Sequence, residues 1–378
     1  MRKDYLLTPG PSIIPSSIRK VLGGEIIHHR TEEFGKILQE VNEGLKYIFC
    51  TQNPVVILTS SGTGAMEAAV SNFLSSKDKV IVVSGGKFGQ RWAEISYAYG
   101  LEVIPYNVEW GKAPSPEFIG DLLKKNKDVK AVFTTLCETS TGTVYDIEGI
   151  ASFLKEKDTI LIVDAISGLG QDRLLTDAWR VDVVISGSQK GFMLPPGLAF
   201  LSVSKKAESF LAHSNLPKYY FDVKKALKSY YKPDTPFTPA ISLIMGLREA
   251  LKIIKKEGRE KLWEKFSRLS LATREAAKSI GLKIFSQRPS SSVTAVVSPQ
   301  KIKSSELVKR LRQKYGVSLA GGQSHLKDKI LRIAHMGAVG EQELIICFSI
   351  LEKGLREMGY NEFEIGASLK KLEEVLYA

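Results

Sequence analysis

Short Val/Ile-rich runs alternate with amphipathic helical stretches between residues 54 and 190 of this 378-residue chain. Continuous apolar strands that are separated by helices are typical of a mostly parallel sheet covered on both faces. The alternation therefore predicts an α/β domain, with strands at residues 55–59, 79–84, 102–106, 129–135, 159–164 and 183–186.

The pattern changes after a long predicted helix that begins at residue 239 and ends near 257. Helical stretches then alternate with strand-like segments, which suggests a smaller α+β unit. With 378 residues, the chain also exceeds the size at which one hydrophobic core keeps growing. We therefore expect an N-terminal segment over residues 1–17, a large domain over 18–257 and a small C-terminal domain over 258–378.

The chain is basic, with 53 Lys and Arg against 41 Asp and Glu and a formal net charge of +12. A basic balance can indicate nucleic-acid binding when a recognition motif accompanies it. Here the basic residues are spread out or mixed with acids, and no zinc-finger spacing or aromatic–basic motif is present, so we expect no nucleic-acid partner. A basic surface also suits small anionic substrates and a phosphorylated cofactor.

The longest apolar runs, such as 54–58 and 79–83, are far shorter than the roughly 18 to 20 residues of a membrane span. A carboxylate and prolines interrupt the first residues before a signal peptide could form. We therefore expect no membrane association and a cytoplasmic location. Cys50, Cys137 and Cys347 include no close pair, which argues against a disulfide scaffold and against a Cys-rich metal site. No metal is expected.

Residues 60–64, Ser-Ser-Gly-Thr-Gly, follow a predicted strand and open a predicted helix. Glycines let the backbone approach an anion, and the free amides of a helix N-terminus point at it. This turn could therefore hold a phosphate. A plain strand-to-helix turn with a capping serine or threonine has the same sequence, so the turn by itself leaves both interpretations open.

Asp164 ends one predicted buried strand and Lys190 follows another, so both lie at carboxyl ends, where parallel sheets bind their ligands. A lysine and a carboxylate placed in this way are what Schiff-base chemistry on a pyridine cofactor requires, since the carboxylate would keep the ring nitrogen protonated. Asp164 could instead cap a helix, and Lys190 could be a surface lysine. The apolar flanks of Lys190, Ile185 and residues 192–197, favour the functional interpretation.

Six motifs lie along the chain from one end to the other. In chain order they are Thr8-Pro9-Gly10-Pro11-Ser12, Ser61-Gly62-Thr63-Gly64-Ala65-Met66-Glu67, Glu138-Thr139-Ser140-Thr141-Gly142, Val163-Asp164-Ala165, Ser186-Gly187-Ser188-Gln189-Lys190 and Leu331-Arg332-Ile333. Together they resemble the alanine–glyoxylate and serine–pyruvate aminotransferases, within the class V branch of the fold type I pyridoxal-phosphate enzymes. The resemblance implies a mostly parallel, seven-stranded sheet in the large domain.

The resemblance also implies roles for individual residues. Lys190 would bind pyridoxal 5'-phosphate as a Schiff base and then shuttle the substrate Cα proton, while Asp164 would pair with the pyridine nitrogen. Arg332 would clamp the substrate carboxylate by a planar two-point contact that a lysine could not reproduce. Gly10 would border the substrate. The remaining cofactor contacts would come from Ser61, Gly62, Thr63 and Gln189 at the phosphate, Thr139 at the ring hydroxyl and Phe88 at the ring face.

Two features of the resemblance concern the ring face and the quaternary structure. Phe88 stands where mammalian enzymes of this type carry a tryptophan, and a phenyl ring can still stack with less contact area. Thr235 resembles a position that reaches the phosphate from the other subunit, which implies a homodimer with shared sites. His28, His29 and Arg30 could border the substrate pocket, a core or an interface.

The resemblance implies a ping-pong transaminase that acts on alanine or serine as donor and on glyoxylate or pyruvate as acceptor. The alternatives are an aspartate or aminoethylphosphonate aminotransferase and a cysteine desulfurase-like lyase. A desulfurase needs a nucleophilic cysteine on a mobile loop, and the corresponding segment, residues 320–324, contains none. Cys137 lies nearer the expected site. The sequence does not identify the donor, because one or two pocket side chains decide it.

Overall fold

The computed structural model of the protein describes residues 4–378. The strands of this part of the chain are β1 (Tyr5–Leu6), β2 (Val55–Leu58), β3 (Lys79–Ser84), β4 (Glu102–Asn107), β5 (Val129–Thr135), β6 (Cys137–Glu138), β7 (Thr143–Val144), β8 (Ile160–Asp164), β9 (Val183–Gly187), β10 (Ala199–Val203), β11 (Val293–Val297), β12 (Val317–Ser318), β13 (Ala320–Gly321) and β14 (Ile330–Ala334).

The α-helices of the same residues are α1 (Ser16–Leu22), α2 (Glu32–Phe49), α3 (Gly62–Phe73), α4 (Lys87–Ala98), α5 (Pro116–Lys125), α6 (Ile147–Ser152), α7 (Lys205–Phe210), α8 (Val223–Tyr230), α9 (Ile241–Glu257), α10 (Arg259–Ser279), α11 (Ser304–Arg310), α12 (Glu341–Glu357) and α13 (Ala367–Leu376). A π-helical turn, Leu311–Tyr315, extends α11, and a short 3-10 turn spans Ser324–Leu326. Within residues 4–378, no helix has the length and apolar character needed to cross a bilayer.

The helix boundaries follow local signals. At the start of α2, the Thr31 side chain accepts a hydrogen bond from the Phe34 N–H and so caps the helix. Apolar residues at helical spacing, from Phe34 to Phe49, form its buried face. Cys50 then adopts a left-handed conformation with φ 54°, which ends the helix.

Seven strands form the central sheet in the order β2-β10-β9-β8-β5-β3-β4. The neighbouring pairs from β9 to β4 are parallel, whereas β10 runs antiparallel to both β2 and β9. The mostly parallel, seven-stranded sheet is therefore confirmed.

Alternate residues of one strand pack on opposite faces of this sheet. In β3, Val80 and Val82 belong to one apolar cluster, whereas Ile81 and Val83 belong to another. Because successive side chains of a strand point to opposite faces, the continuous apolar runs supply two cores at once.

Within the seven-stranded sheet, β10 is the strand that the alternation of strands and helices did not predict. No helix precedes it, since it follows β9 after the short connection 188–198. A connection of this length suits an antiparallel return, whereas a parallel strand needs a crossover, usually a helix. The return has a functional consequence, because Lys190 lies within it.

The C-terminal part contains a three-stranded antiparallel sheet in the order β11-β14-β13. Beside this sheet, Ile284 forms only an isolated antiparallel bridge with Val296. Strand β1 pairs in parallel with β12, so the N-terminal segment is attached to this part of the chain. The division of the chain into domains at residue 258 stays a prediction.

Candidate active site

Several of the site residues predicted from the sequence lie at or just after the carboxyl ends of the parallel strands. The turn before α3 follows β2, the start of α4 follows β3, Asp164 ends β8, and Lys190 follows β9. Because these strands point in one direction, their following loops meet at one edge of the sheet. The edge expected from the sequence to bind a ligand is therefore built from several chain segments.

Lys190 is buried, with 8% of its surface exposed. Its Nζ donates a hydrogen bond to the Pro9 carbonyl, and the Ser12 hydroxyl donates to the Lys190 carbonyl over 2.7 Å. A Cβ added at Gly10 would lie 2.5 Å from Lys190 Cδ and 2.6 Å from Nζ, so only glycine lets the backbone pass here. Burial lowers the pKa of Lys190 to about 8, which makes the neutral, nucleophilic amine accessible near neutral pH.

Asp164 is also buried, and its Oδ1 accepts a hydrogen bond from the Ile166 N–H over 2.8 Å. The next helix after β8 is α7, which begins at Lys205, so Asp164 caps no helix. Burial raises the pKa of Asp164 to about 7. A cation beside this carboxyl would favour its charged form, which is the pairing that a protonated ring nitrogen provides.

Helix α3 begins directly after the Ser61-Gly62-Thr63 turn. Ser61 is the N-cap residue, but its side chain accepts no capping hydrogen bond, so amides of the first turn lack a side-chain partner. A Cβ at Gly62 would lie 2.3 Å from Ile166 Cδ1, and a Cβ at Gly187 would lie 3.5 Å from the Gly62 nitrogen. These close approaches bring the turn against the segments that carry Asp164 and Gln189. Oε1 of Gln189 is buried without a hydrogen-bond partner among the described residues.

Arg332 projects from β14 of the C-terminal sheet and joins the same cluster. Its Nη1 donates to the Thr139 carbonyl over 2.9 Å, while Nε and Nη2 donate to the Gly321 carbonyl over 3.1 and 2.8 Å. The Thr139 hydroxyl donates to Ser167 over 2.6 Å. Burial lowers the pKa of Arg332 to about 10, although its guanidinium stays protonated at neutral pH.

Glu138 is a buried residue of this cluster to which the sequence assigned no individual role. Its buried carboxylate accepts hydrogen bonds from the N–H groups of Phe88 and Gly89, over 3.2 and 2.9 Å, and from Ser140. Burial raises the pKa of Glu138. The carboxylate therefore holds the start of α4, and with it Phe88, against the loop that carries Thr139. An acid within a loop of otherwise neutral residues was the available signal.

Thr235 does not join the Lys190 cluster through hydrogen bonds within one chain. Its N–H donates to Asp234 over 2.7 Å, and its carbonyl accepts from Arg30 over 2.8 Å. Its hydroxyl is buried without a hydrogen-bond partner among residues 4–378. His28 and His29 lie beside this Arg30 segment, with ring centroids 5.0 Å apart. A shared site between subunits stays a prediction.

The cysteines do not offer a thiolate. Cys137 is buried with its sulfur 3.2 Å from the Ser292 hydroxyl, and burial raises the pKa of Cys137 and of Cys347 to about 12. Both thiols are therefore protonated at neutral pH, which disfavours nucleophilic sulfur chemistry. Residues 4–378 contain no group of three or more His, Cys, Asp or Glu side chains arranged to hold a metal ion.

The residues present fit pyridoxal phosphate, the cofactor that the resemblance implies. Lys190 offers a buried amine for the aldehyde, and Asp164 offers a buried carboxyl for the ring nitrogen. The uncapped start of α3 offers amides and a dipole for the phosphate. The absence of a side chain at Gly10 and Gly62 lets the backbone pass close to Lys190 and to Ile166, which brings these segments together around the amine and the carboxyl.

Comparison with known proteins identifies the family of this chain. The family model described as aminotransferase class V matches residues 19–338. The chain is 41% identical over 379 residues to the soluble hydrogenase, small subunit, of a Synechococcus strain, covering 99% of this chain and 98% of that protein. It is 32% identical over 370 residues to the serine–glyoxylate aminotransferase of Methylorubrum extorquens, covering 94% and 92%.

Among solved structures, the ureidoglycine–glyoxylate aminotransferase of Bacillus subtilis is similar with a TM-score of 0.95 and 26% identity, covering 100% of this chain and 99% of that chain. Sequence and structural similarity thus extend over nearly the whole chain. The chain therefore belongs to the class V aminotransferases of fold type I, and it is a pyridoxal-phosphate-dependent transaminase.

Proposed function

We propose that this transaminase moves the amino group of a small amino acid, alanine or serine, to glyoxylate or pyruvate in a ping-pong cycle. The observation that carries the proposal is the hydrogen bonding of Arg332. Three of its N–H groups donate to backbone carbonyls, so one N–H on each terminal nitrogen stays available. No carboxylate of residues 4–378 pairs with this buried cation.

A planar guanidinium with one free N–H on each terminal nitrogen matches the two oxygens of a carboxylate. Amino acids and 2-oxo acids both carry a carboxylate beside the reacting carbon. One clamp at Arg332 would therefore orient the donor in the first half of the cycle and the acceptor in the second. The use of one carboxylate site for both substrates in turn supports a ping-pong mechanism.

Lys190 would then transfer the proton of the substrate Cα, and Asp164 would keep the ring nitrogen of the cofactor protonated. When bound, pyridoxal phosphate supplies an aldehyde that condenses with amines and a ring that delocalises the charge left at the substrate Cα. The Lys190 amine, with its pKa lowered to about 8 by burial, can accept the Cα proton and return a proton to the neighbouring carbon of the cofactor. The Asp164 carboxylate would hold a proton on the ring nitrogen.

The surroundings of the Lys190 amine favour a small substrate. The backbone of Pro9 and Gly10 lies against this amine, with the Pro9 carbonyl as its hydrogen-bond acceptor. We infer that the N-terminal segment borders the substrate here and that a short substrate side chain suits this contact. The names of the Methylorubrum and Bacillus relatives both include glyoxylate as a substrate, which supports a small acceptor.

A donor and acceptor screen tests the substrate assignment. With glyoxylate as acceptor, alanine or serine should give a kcat/KM at least about tenfold above that of aspartate or aminoethylphosphonate, because an extra anionic group would need a buried partner of its own. Each half-reaction is followed by absorbance of the purified enzyme, with the donor omitted as control. A clear preference for aspartate or for aminoethylphosphonate would overturn the assignment.

We further propose a homodimer in which Thr235 of one subunit reaches the phosphate held by the other. The unpartnered, buried Thr235 hydroxyl supports this arrangement. Its segment is stiffened by Pro233 and Pro236, which limits the conformations that it loses on assembly. Such a site would exist only in the assembled dimer.

Cofactor binding should consequently stabilise the dimer by linkage. At a cofactor concentration about 100 times its dissociation constant, each site would add ~2.7 kcal/mol to dimer stability. Sedimentation of the protein with and without pyridoxal phosphate, over a dilution series, measures this shift. Thr235→Val should reduce it, whereas Thr238→Val, an exposed change in the same segment, should not. A monomer that is fully active and loaded with cofactor contradicts the shared site.

A further inference from the structure

Arg91 lies on α4, three residues after Phe88, and contacts the turn that precedes α3. Its Nη1 donates a hydrogen bond to the Thr63 hydroxyl over 3.2 Å, and its guanidinium carbon lies 5.0 Å from the centroid of the Phe88 ring. We propose that Arg91 is a positioning residue that orients the Thr63 hydroxyl and supplies positive charge at the phosphate end of the cofactor. This inference rests on the proposed assignment of residues 61–63 to that phosphate.

The direction of the hydrogen bond is the first argument. A guanidinium can only donate, so the Thr63 oxygen acts as the acceptor towards Arg91. The hydroxyl has one hydrogen of its own, which is then free to donate elsewhere. A phosphate oxygen only accepts hydrogen bonds, so it needs a donor whose hydrogen is not already used in another hydrogen bond. Arg91 thus leaves the Thr63 hydroxyl in the donating orientation that an anion requires.

The second argument is charge. Lys87 is on the same helix as Arg91, but its Nζ forms a salt bridge with Glu94 at 2.8 Å. Arg91 forms no salt bridge with a carboxylate within the described part of the chain, so its charge is not neutralised there. The start of α3 contributes only a partial positive charge, of roughly half a unit, from its dipole. A phosphate that carries close to two negative charges requires a full cation in addition.

The third argument is that the charge of Arg91 acts on the two acid–base groups. Burial is the main cause of the raised pKa of Asp164 and of the lowered pKa of Lys190, and the positive charge of Arg91 lowers both pKa values. It therefore favours the charged Asp164 carboxylate and the neutral Lys190 amine. These are the forms that the proposed proton transfers use.

The fourth argument is the contact with Phe88. A guanidinium over an aromatic face is attracted by the ring, and the Phe88 N–H is held by Glu138. Phe88 is thus held through its ring and its backbone. Arg91 joins the residue proposed for the ring face of the cofactor to the turn proposed for its phosphate.

The test compares pyridoxal phosphate with pyridoxal, which lacks the phosphate, by equilibrium dialysis against the full chain. Arg91→Met should weaken the binding of pyridoxal phosphate by about 10- to 100-fold, as for loss of a charge-assisted hydrogen bond. The binding of pyridoxal should change by less than about threefold, since neutral hydrogen bonds and packing are retained. Arg91→Lys should lie between, because it keeps the charge without the planar contact.

Lys87→Met is the matched control, because it removes a charge from the same helix without touching the turn before α3. Thr63→Val should also weaken the binding of pyridoxal phosphate more than the binding of pyridoxal. The double variant with Arg91→Met should lose less than the two single losses combined, since Arg91 acts through Thr63. Circular dichroism shows whether each variant is folded. If Arg91→Met does not fold, Arg91→Lys is used as the test variant in its place.

The possible failures are distinguishable. If Thr63→Val discriminates between the two ligands but neither Arg91 variant does, the inference is wrong and the phosphate assignment stands. If no variant discriminates, both the phosphate assignment and the role of Arg91 are wrong. A failure of the proposed substrates would appear in the donor screen alone and would leave these affinities unchanged.

Discussion

A Lys190→Ala variant is expected to lose transamination by at least about a thousandfold. In the proposed mechanism, the substitution removes both the group that links the cofactor covalently and the base that moves the substrate Cα proton. The Lys190 side chain is buried and hydrogen-bonded to the Pro9 carbonyl. A solvent-exposed lysine therefore cannot take over its role. The fold should persist, because the loss creates space beside Gly10 without breaking a strand.

Borohydride reduction of the wild-type protein followed by peptide mapping checks the assignment independently of rate. The cofactor should be found on the peptide that contains Lys190. Lys124→Ala, at an exposed lysine of α5, provides a control that should keep both the label and the activity. Label on any other lysine would remove Lys190 from the proposed role.

An Arg332→Lys variant should raise KM for the amino donor and for the oxo acid acceptor together. The expected loss in kcat/KM corresponds to about 2 to 5 kcal/mol, as for truncation of one partner of a buried charge pair. A lysine keeps the charge, but its single ammonium cannot bind both carboxylate oxygens while it also satisfies the Gly321 and Thr139 carbonyls. Cofactor binding should change little, because these contacts are made with substrate and backbone.

Steady-state kinetics with donor and acceptor varied in turn, together with the absorbance of the bound cofactor, separate the two effects. Arg310→Lys is the matched control, since Arg310 pairs with Glu357 on the surface of α11 and α12. Unchanged KM values for both substrates would show that Arg332 is not the carboxylate clamp. Loss of the cofactor with normal substrate affinity would indicate a different role for this arginine.

The two variants separate chemistry from recognition. Lys190→Ala should abolish turnover whichever substrate is offered, whereas Arg332→Lys should leave an active enzyme at high substrate concentration. Together with the effect of Arg91 on cofactor affinity, they would assign three basic residues to three parts of the reaction. These parts are the reacting carbon, the substrate carboxylate and the cofactor phosphate.

The central sheet and its ligand edge could be predicted from the sequence because the signals are local. Each apolar run, such as 79–84, predicts a strand from its own residues. The rule that parallel strands share a carboxyl edge then brings Asp164 and Lys190 together without further information. Strand β10 was not predicted in this way, because no helix precedes Ala199–Val203 and the alternation of strands and helices did not continue there.

The contacts that complete the site join residues far apart in the chain. Arg332 and Thr139 are 193 positions apart, and Lys190 and Pro9 are 181 positions apart. No periodicity or spacing predicts such a pair, since it depends on how β14 and the N-terminal segment pack against the large sheet. The resemblance named Arg332 as a site residue, but its backbone partners and its free N–H groups are properties of the tertiary structure.

The same division applies to single residues. The sequence alone determined where strands end and which of their terminal residues can react, because secondary structure and residue type are local properties. Only the tertiary structure decided that Glu138 holds Phe88, that Arg91 donates to Thr63 and that Lys190 is buried. Burial and hydrogen-bond partners set the pKa values and charges of a site, and both depend on packing between segments that the sequence does not place next to each other.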